Sequence, residues 1–220
     1  MPLWAKLFLL GIGLIFLGAG VAIGVFGTRD ALARAALAER LAPRGAAAIE
    51  DTPVGAEVLV EGALSPRNRP RFREFVAYTV EEYRGVDDDG DPEWALIDTV
   101  TPPLIIEAGG LVSVGNEDYR LEHSHAEYQD PGPLTRGDLA RESTKRYRGL
   151  VAGQVVTAIG TVAEGPEGNE LRAELVYAGT RAEYIAGQRQ AAVFLPVFGA
   201  LFGLVGAIIA GFGVFVLLRG

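Results

Sequence analysis

Residues 191–218 read AAVFLPVFGALFGLVGAIIAGFGVFVLL, and residues 7–26 read LFLLGIGLIFLGAGVAIGVF; neither stretch contains a charged side chain. About 20 apolar residues at helical rise match the hydrocarbon thickness of a bilayer. The pattern therefore predicts two transmembrane helices, at 7–26 and 191–218, near the two ends of a 220-residue chain. A cleaved signal peptide competes for the first, because residues 1–6 carry the positive Lys6, but the apolar run exceeds the usual core of about 7–15 residues. All 28 acidic residues lie between the two stretches.

Both spans carry small residues at close-packing spacing: Gly20 and Gly24 in the first, Gly199 and Gly203 in the second, with Ala207 and Gly211 beyond. Small-xxx-small steps let helix backbones approach, so these glycines are candidates for pairing the spans with each other or for homo-oligomerisation. Pro196 either kinks the second helix or sits in its first turn. Working inward, TRDALARAALAERLAP predicts a juxtamembrane helix over 27–43, with Leu32, Ala36, Leu37 and Leu41 on one side. A matching helix is expected over 180–190.

Between them, residues 44–179 predict a β-rich domain. Alternating and β-branched runs mark strands at Glu57–Leu64, Phe75–Tyr83, Trp94–Thr101, Leu104–Glu107, Leu111–Val114, Gln154–Ala163 and Leu171–Tyr177. Breaks at 65–70, 86–92, 107–110 and 164–169 are rich in Gly, Pro and Asp. The expected class is a membrane protein of α+β type, two transmembrane helices flanking a small antiparallel barrel or sandwich.

Setting Lys6 and Arg219 aside, 18 basic residues face 28 acidic ones, a balance that argues against a nucleic-acid surface. The absence of Cys excludes disulfides, thiol nucleophiles and cysteine zinc sites. Only two Lys accompany 18 Arg, a bias that suggests a high-GC prokaryote. One basic cluster stands out, Arg67, Arg69, Arg71 and Arg73. On an extended chain these four share a face, suited to anionic headgroups of the lipid bilayer or to an acidic protein partner; a solvated loop is the plainer reading.

The two histidines, His123 and His125, with Glu127, would share a face of a strand and could ligate a metal; an exposed polar segment is the competing reading. Asp87, Asp88, Asp89 and Asp91 suggest calcium, but Pro92 stands where an EF-hand loop needs glycine, which favours a hairpin turn. Lys145 has Ser143 two residues away with nothing to orient a Ser–Lys pair. No nucleophile elbow, zincin, Walker or dinucleotide motif is present, so neither a catalytic residue nor a cofactor is indicated.

Six segments recur in an order that resembles the GIDE-domain (beside-a-membrane) family, that of the mitochondrial outer-membrane E3 ubiquitin ligase MULAN. They are VEGALSP (60–66), FVAYTVEEY (75–83), Trp94, PPLIIEAGGLVSV (102–114), Tyr119 and KRYRGLVAGQVVTAIGTV (145–162). The family's ligases carry a cysteine-rich RING finger after the second span, which a chain without Cys cannot supply. Phe75 stands where the family commonly has Cys, and Lys145-Arg146 where it tends to have Glu-Arg. The resemblance thus implies a membrane-proximal platform, with no ligase residue to carry over.

Three functions follow as expectations: a non-enzymatic two-span scaffold or sensor, a RING-less subunit of an E3-ligase-like or protease-like membrane complex, or a metal-dependent enzyme at His123 and His125. A multi-pass cell-membrane location is expected. Arg29, Arg34, Arg40, Arg181 and Arg189 beside the spans place the β domain in the cytoplasm by the positive-inside rule, whereas the family resemblance implies the intermembrane space.

Overall fold

The computed structural model describes residues 3–87, 90–130 and 144–219, in two compact units: residues 1–40 with 185–220, and residues 41–184. In the helical unit the first apolar stretch forms α1 (Leu3–Val21), followed by a π-helical stretch (Ala22–Gly27) and α2 (Thr28–Arg40), without a break between them. The last helix, named α4 in chain order, runs as one element over Arg181–Leu218. Both are long and apolar enough to cross a membrane. The segments expected as separate juxtamembrane helices are therefore continuations of the two apolar helices. Their sequences are strong helix formers, and an uninterrupted helix leaves no backbone group to cap at the junction.

The seam between the two helices follows a period of seven. Lys6, Gly13 and Gly20 are buried on one side, and a Cβ added at Gly199 or Gly206 would strike the opposite backbone. At Gly20 a Cβ would lie 2.6 Å from the Gly199 oxygen and from the Gly203 nitrogen. A seven-residue repeat keeps a seam facing its partner along a left-handed pair. Gly24, Gly199 and Gly203 all lie against the opposite helix, as the four-residue spacing anticipates, although a Cβ at Gly203 would itself point into open space, as would one at Gly211. Pro196 lies well inside α4 and so deprives the Ala192 carbonyl of its usual partner. It packs at the level of Gly24, inside the π-helical stretch, so the proline of α4 and the π-helical turns of the first helix lie at the same height. In α2 the buried stripe is Ala31, Ala35 and Ala38, while Leu32 is exposed, contrary to the expected Leu32–Ala36 face; alanine lets the backbones stay close.

The second unit opens with a short helix, α3 (Ala46–Glu50), which buries Ile49 against the core. Ten strands follow: β1 (Glu57–Leu64), β2 (Phe75–Val86), β3 (Pro92–Val100), β4 (Leu104–Glu107), β5 (Leu111–Val114), β6 (Arg120–Glu122), β7 (Ala126–Gln129), β8 (Lys145–Val151), β9 (Val155–Gly165) and β10 (Gly168–Ala178). Five close into a barrel in which β1 pairs with β4 and β9, β4 with β5, and β9 with β10, all antiparallel. The circuit closes through a parallel pairing at Leu171 and Val114 between β10 and β5. Numbering only the barrel strands, the order is 1-2-3-5-4-1 with third and fifth parallel, the connectivity of an OB-type barrel. The expected all-antiparallel barrel is corrected in that one junction, and in β6, which also runs parallel to β10.

Two insertions interrupt the barrel and pair with each other. The β2–β3 hairpin leaves between β1 and β4, and β6 to β8 leave between β5 and β9; β3, β2, β8 and β7 form a four-stranded antiparallel sheet. Val76, Ala77 and Leu150 join its inner end to the barrel core of Val58, Val60, Ile106, Val112, Val156 and Leu171. Gly160 of β9 faces the bulge of β10 between Ala173 and Leu175, where an added side chain would meet backbone.

Candidate functional site

The loop after β1 brings three of the four sequence-predicted arginines together. Arg67, Arg69 and Arg71 line a cleft of about 600 Å³ whose floor is Leu104 and Ile105 of β4 with Ser113 and Val114 of β5. Pro102, Pro103 and Pro166 form apolar walls, and Glu170 of β10 the one acidic one. This is the face of the second and third barrel strands, flanked by the loop joining strands one and two and the turn joining strands four and five, where OB-type barrels present bound ligands.

The arginines project from a pinned loop. Asn68 is 7% exposed; its Nδ2 donates to the Ser65 oxygen at 2.9 Å and the Ile105 oxygen at 2.7 Å, while its Oδ1 accepts from the Ile105 nitrogen at 2.8 Å. The Asn68 nitrogen closes a turn on the Ser65 oxygen at 3.0 Å. Ser65 in turn donates its hydroxyl to Glu107 at 2.8 Å and accepts the Arg67 N–H at 3.3 Å. Under the cleft, the buried Tyr119 hydroxyl donates to the Pro102 oxygen at 2.6 Å. Burial pushes that phenol well above its ordinary range, Glu117 adds to the rise, and Arg71 opposes it. Among the described residues Arg67, Arg69 and Arg71 have no carboxylate within salt-bridge distance.

Arg73 does not join them. The chain is turned rather than extended here: the Phe75 N–H closes on the Phe72 oxygen at 2.8 Å, and Arg73 takes φ of +50°. Phe72 stacks on Tyr147 at 4.2 Å, and the Arg73 guanidinium lies 3.8 Å from the Tyr128 ring centroid. The two-residue alternation was visible in sequence; the turns at Ser65–Asn68 and Phe72–Phe75 that divide it three to one were not. Asn68, Pro166 and Glu170 were also missed, since nothing local to Gly165–Glu170 signals that this turn returns to the arginine loop.

The histidines and Glu127 are engaged in other contacts. His125 accepts the Val151 N–H on Nδ1 at 3.1 Å and bonds the Val155 carbonyl through Nε2 at 2.8 Å, so backbone engages both ring nitrogens. That assigns the neutral Nε2–H tautomer, and desolvation holds its pKa below the ordinary value although the Val155 carbonyl opposes this. His123 is exposed at φ +61° with its ring 4.9 Å from Tyr177, and Glu127 pairs with Arg148 at 3.2 Å. The strand begins only at Ala126, so the expected shared face of 123, 125 and 127 does not form. Among the described residues no three His, Asp or Glu groups are placed to hold a metal. Asp91 donates its N–H to the Asp87 carboxylate at 2.9 Å in the β2–β3 turn; Asp88, Asp89 and Ser143 lie outside the described residues. A second hollow of about 470 Å³ is walled by Glu81 and Arg148, both already ion-paired, to Arg146 and Glu127.

Comparison with known proteins finds no matching family model, no matching curated protein and no matching solved structure.

Proposed function

We propose that this chain is a non-enzymatic, two-span protein of the cell membrane, a scaffold or sensor whose barrel domain binds an anionic group of a partner in the Arg67–Arg69–Arg71 cleft. One observation carries the reading: three guanidinium groups with no ion pair among the described residues stand around an open cleft on the ligand-presenting face of an OB-type barrel. Arginine stays charged at every working pH and offers a planar fork to carboxylate or phosphate, which suits binding. Segments that carry the GIDE-family resemblance, 60–66 and 102–114, supply β1, β4 and β5 around the cleft. On this reading the domain faces the cytoplasm, with five arginines flanking the spans on its side.

The experiment titrates full-length protein in nanodiscs with two soluble probes, a fluorescent hexa-aspartate peptide and short-chain phosphatidylserine. Replacing Arg67, Arg69 and Arg71 together by Gln is expected to weaken anion binding at least about tenfold at low salt, with the difference shrinking as salt rises. Equal binding by the variant and the parent overturns the assignment.

A further inference from the structure

The arginine cleft is not closed at its far end. It runs into an adjoining hollow of about 290 Å³, and the two share Arg67, Ile105, Ser113, Pro166 and Glu170. Past that shared waist the walls change sign: Arg69 and Arg71 line only the first hollow, Glu50 and Glu167 only the second. The acidic end is as deliberately shaped as the basic one. The Glu170 carboxylate occupies the space that side chains at Gly115 and Gly165 would fill. The Glu50 carboxylate lies where a Cβ at Gly168 would stand, 2.7 Å away, and accepts the Asn169 N–H at 3.2 Å. Glu167 and Glu170 have no basic partner within salt-bridge distance among the described residues.

We infer that the two hollows form a single bipolar groove, which takes an extended peptide segment of the partner with its acidic residues toward Arg67, Arg69 and Arg71 and its basic residues toward Glu50, Glu167 and Glu170. This rests on the anion-binding reading of the cleft and adds the class of ligand. A nucleic acid or other uniform polyanion would set negative charge against the three glutamates, an arrangement that costs affinity and gives discrimination. A zwitterionic headgroup would fill only the waist. A polypeptide rises about 3.3 Å per residue when extended and can carry opposite charges a few residues apart, so it alone addresses both ends. The apolar proline walls and the Leu104–Ile105 floor suit its uncharged side chains.

Full-length protein in nanodiscs is titrated with four probes: a heptapeptide of three aspartates, a glycine and three lysines; hexa-aspartate; an oligothymidylate; and short-chain phosphatidylethanolamine. The bipolar peptide is expected to bind about tenfold more tightly than hexa-aspartate, a gain of the size that complementary charge supplies. Replacing Glu167 and Glu170 together by Gln should erase that preference and leave hexa-aspartate binding intact or stronger, whereas the triple Arg→Gln variant should lose both peptides. An unchanged unfolding midpoint excludes misfolding as the cause, and these side chains lie on the surface of the cleft. If hexa-aspartate or oligothymidylate binds as tightly as the bipolar peptide, the groove is not bipolar in function, although the arginine cleft stands. If the lipid competes better than either peptide, the ligand is a headgroup and the inference fails. If no probe binds, the anion-binding reading falls and takes this one with it.

Discussion

The side chain of Asn68 and the backbone of Ile105 exchange two hydrogen bonds, at 2.7 and 2.8 Å, so that one carboxamide stands in for a neighbouring strand along β4. A strand with only four residues has few ladder bonds to spare, and this pair both extends its pairing and fixes the loop that carries Arg67 and Arg69. Asn68→Ala would leave the Ile105 N–H without its partner, at a cost of about 1–3 kcal/mol, while the Ile105 carbonyl keeps the Ser65 N–H at 2.9 Å. We expect a lower unfolding midpoint in denaturant, and weaker anion binding even where the protein stays folded. Asn68→Asp keeps the acceptor but sets a carboxylate oxygen against the Ser65 and Ile105 carbonyls in a buried site, so it should destabilise at least as much as Asn68→Ala. Parental affinity in folded Asn68→Ala would refute the idea that the loop is preorganised.

Arg73 provides an internal contrast to its neighbours. Its contact with Tyr128 at 3.8 Å contributes about 0.5–1 kcal/mol for an exposed cation–π pair, while its left-handed backbone costs about 1–2 kcal/mol. Arg73→Gly should therefore leave stability close to parental, and Arg73→Ala should be less stable than Arg73→Gly by about 1 kcal/mol. Neither should alter anion binding. Loss of binding in Arg73→Gly would return this residue to the cleft.

The helix pair makes a sharper distinction between glycines four residues apart. At Gly199 an added side chain meets the backbone of Gly20 and Gly24, whereas at Gly203 it meets open space. Gly199→Leu should lower the thermal midpoint of the detergent-solubilised protein by several degrees, through the loss of close backbone packing between the two apolar helices. Gly203→Leu should leave it near parental. Equal losses at both positions would show that the space beside Gly203 cannot take a side chain.

These contrasts mark where sequence reading succeeds and where it stops. β1, β4 and β5 were legible to the residue, because each is a short β-branched run closed by turn residues. β8 was not, since KRYRGLV has charges on successive residues, and what makes it a strand is pairing with β2 on one side and β7 on the other. Barrel closure depends on the parallel meeting of Leu171 with Val114, a contact between distant segments that no local pattern encodes. The arginines were found by composition and their grouping was misjudged, because extended geometry was assumed across two turns. The glutamate end of the groove was invisible for a related reason: Glu50, Glu167 and Glu170 come from α3, the β9–β10 turn and β10, and only the folded barrel brings them together.

Orientation is open to a direct test, since the chain lacks Cys. A single Glu93→Cys on the exposed start of β3 should resist a membrane-impermeant maleimide in intact cells and react after lysis, if the domain is cytoplasmic. Labelling of intact cells would place the domain outside and exclude cytosolic partners for the groove.

His125 gives the domain a defined response to acid. Its neutral ring accepts the Val151 N–H and donates to the Val155 carbonyl, bracing the turn between β8 and β9. Burial, the dominant influence, holds its pKa in the folded protein below the ordinary value. The unfolded chain takes up the proton near pH 6.5, before the folded chain does. The stabilisation from the neutral ring is therefore complete above about pH 6.5 and is lost as pH falls from there toward the depressed folded value. Protonation puts an N–H on Nδ1, directly facing the Val151 N–H, so the same event that costs stability also opens the turn. His125→Ala should cost about 0.5–1.5 kcal/mol at pH 7.5, chiefly through the part-buried Val151 N–H, since the Val155 carbonyl is exposed to water. It should also flatten the fall in stability across that acid window. Denaturant unfolding at a series of pH values reads both effects, and an unchanged slope in His125→Ala would mean that another group sets the acid response.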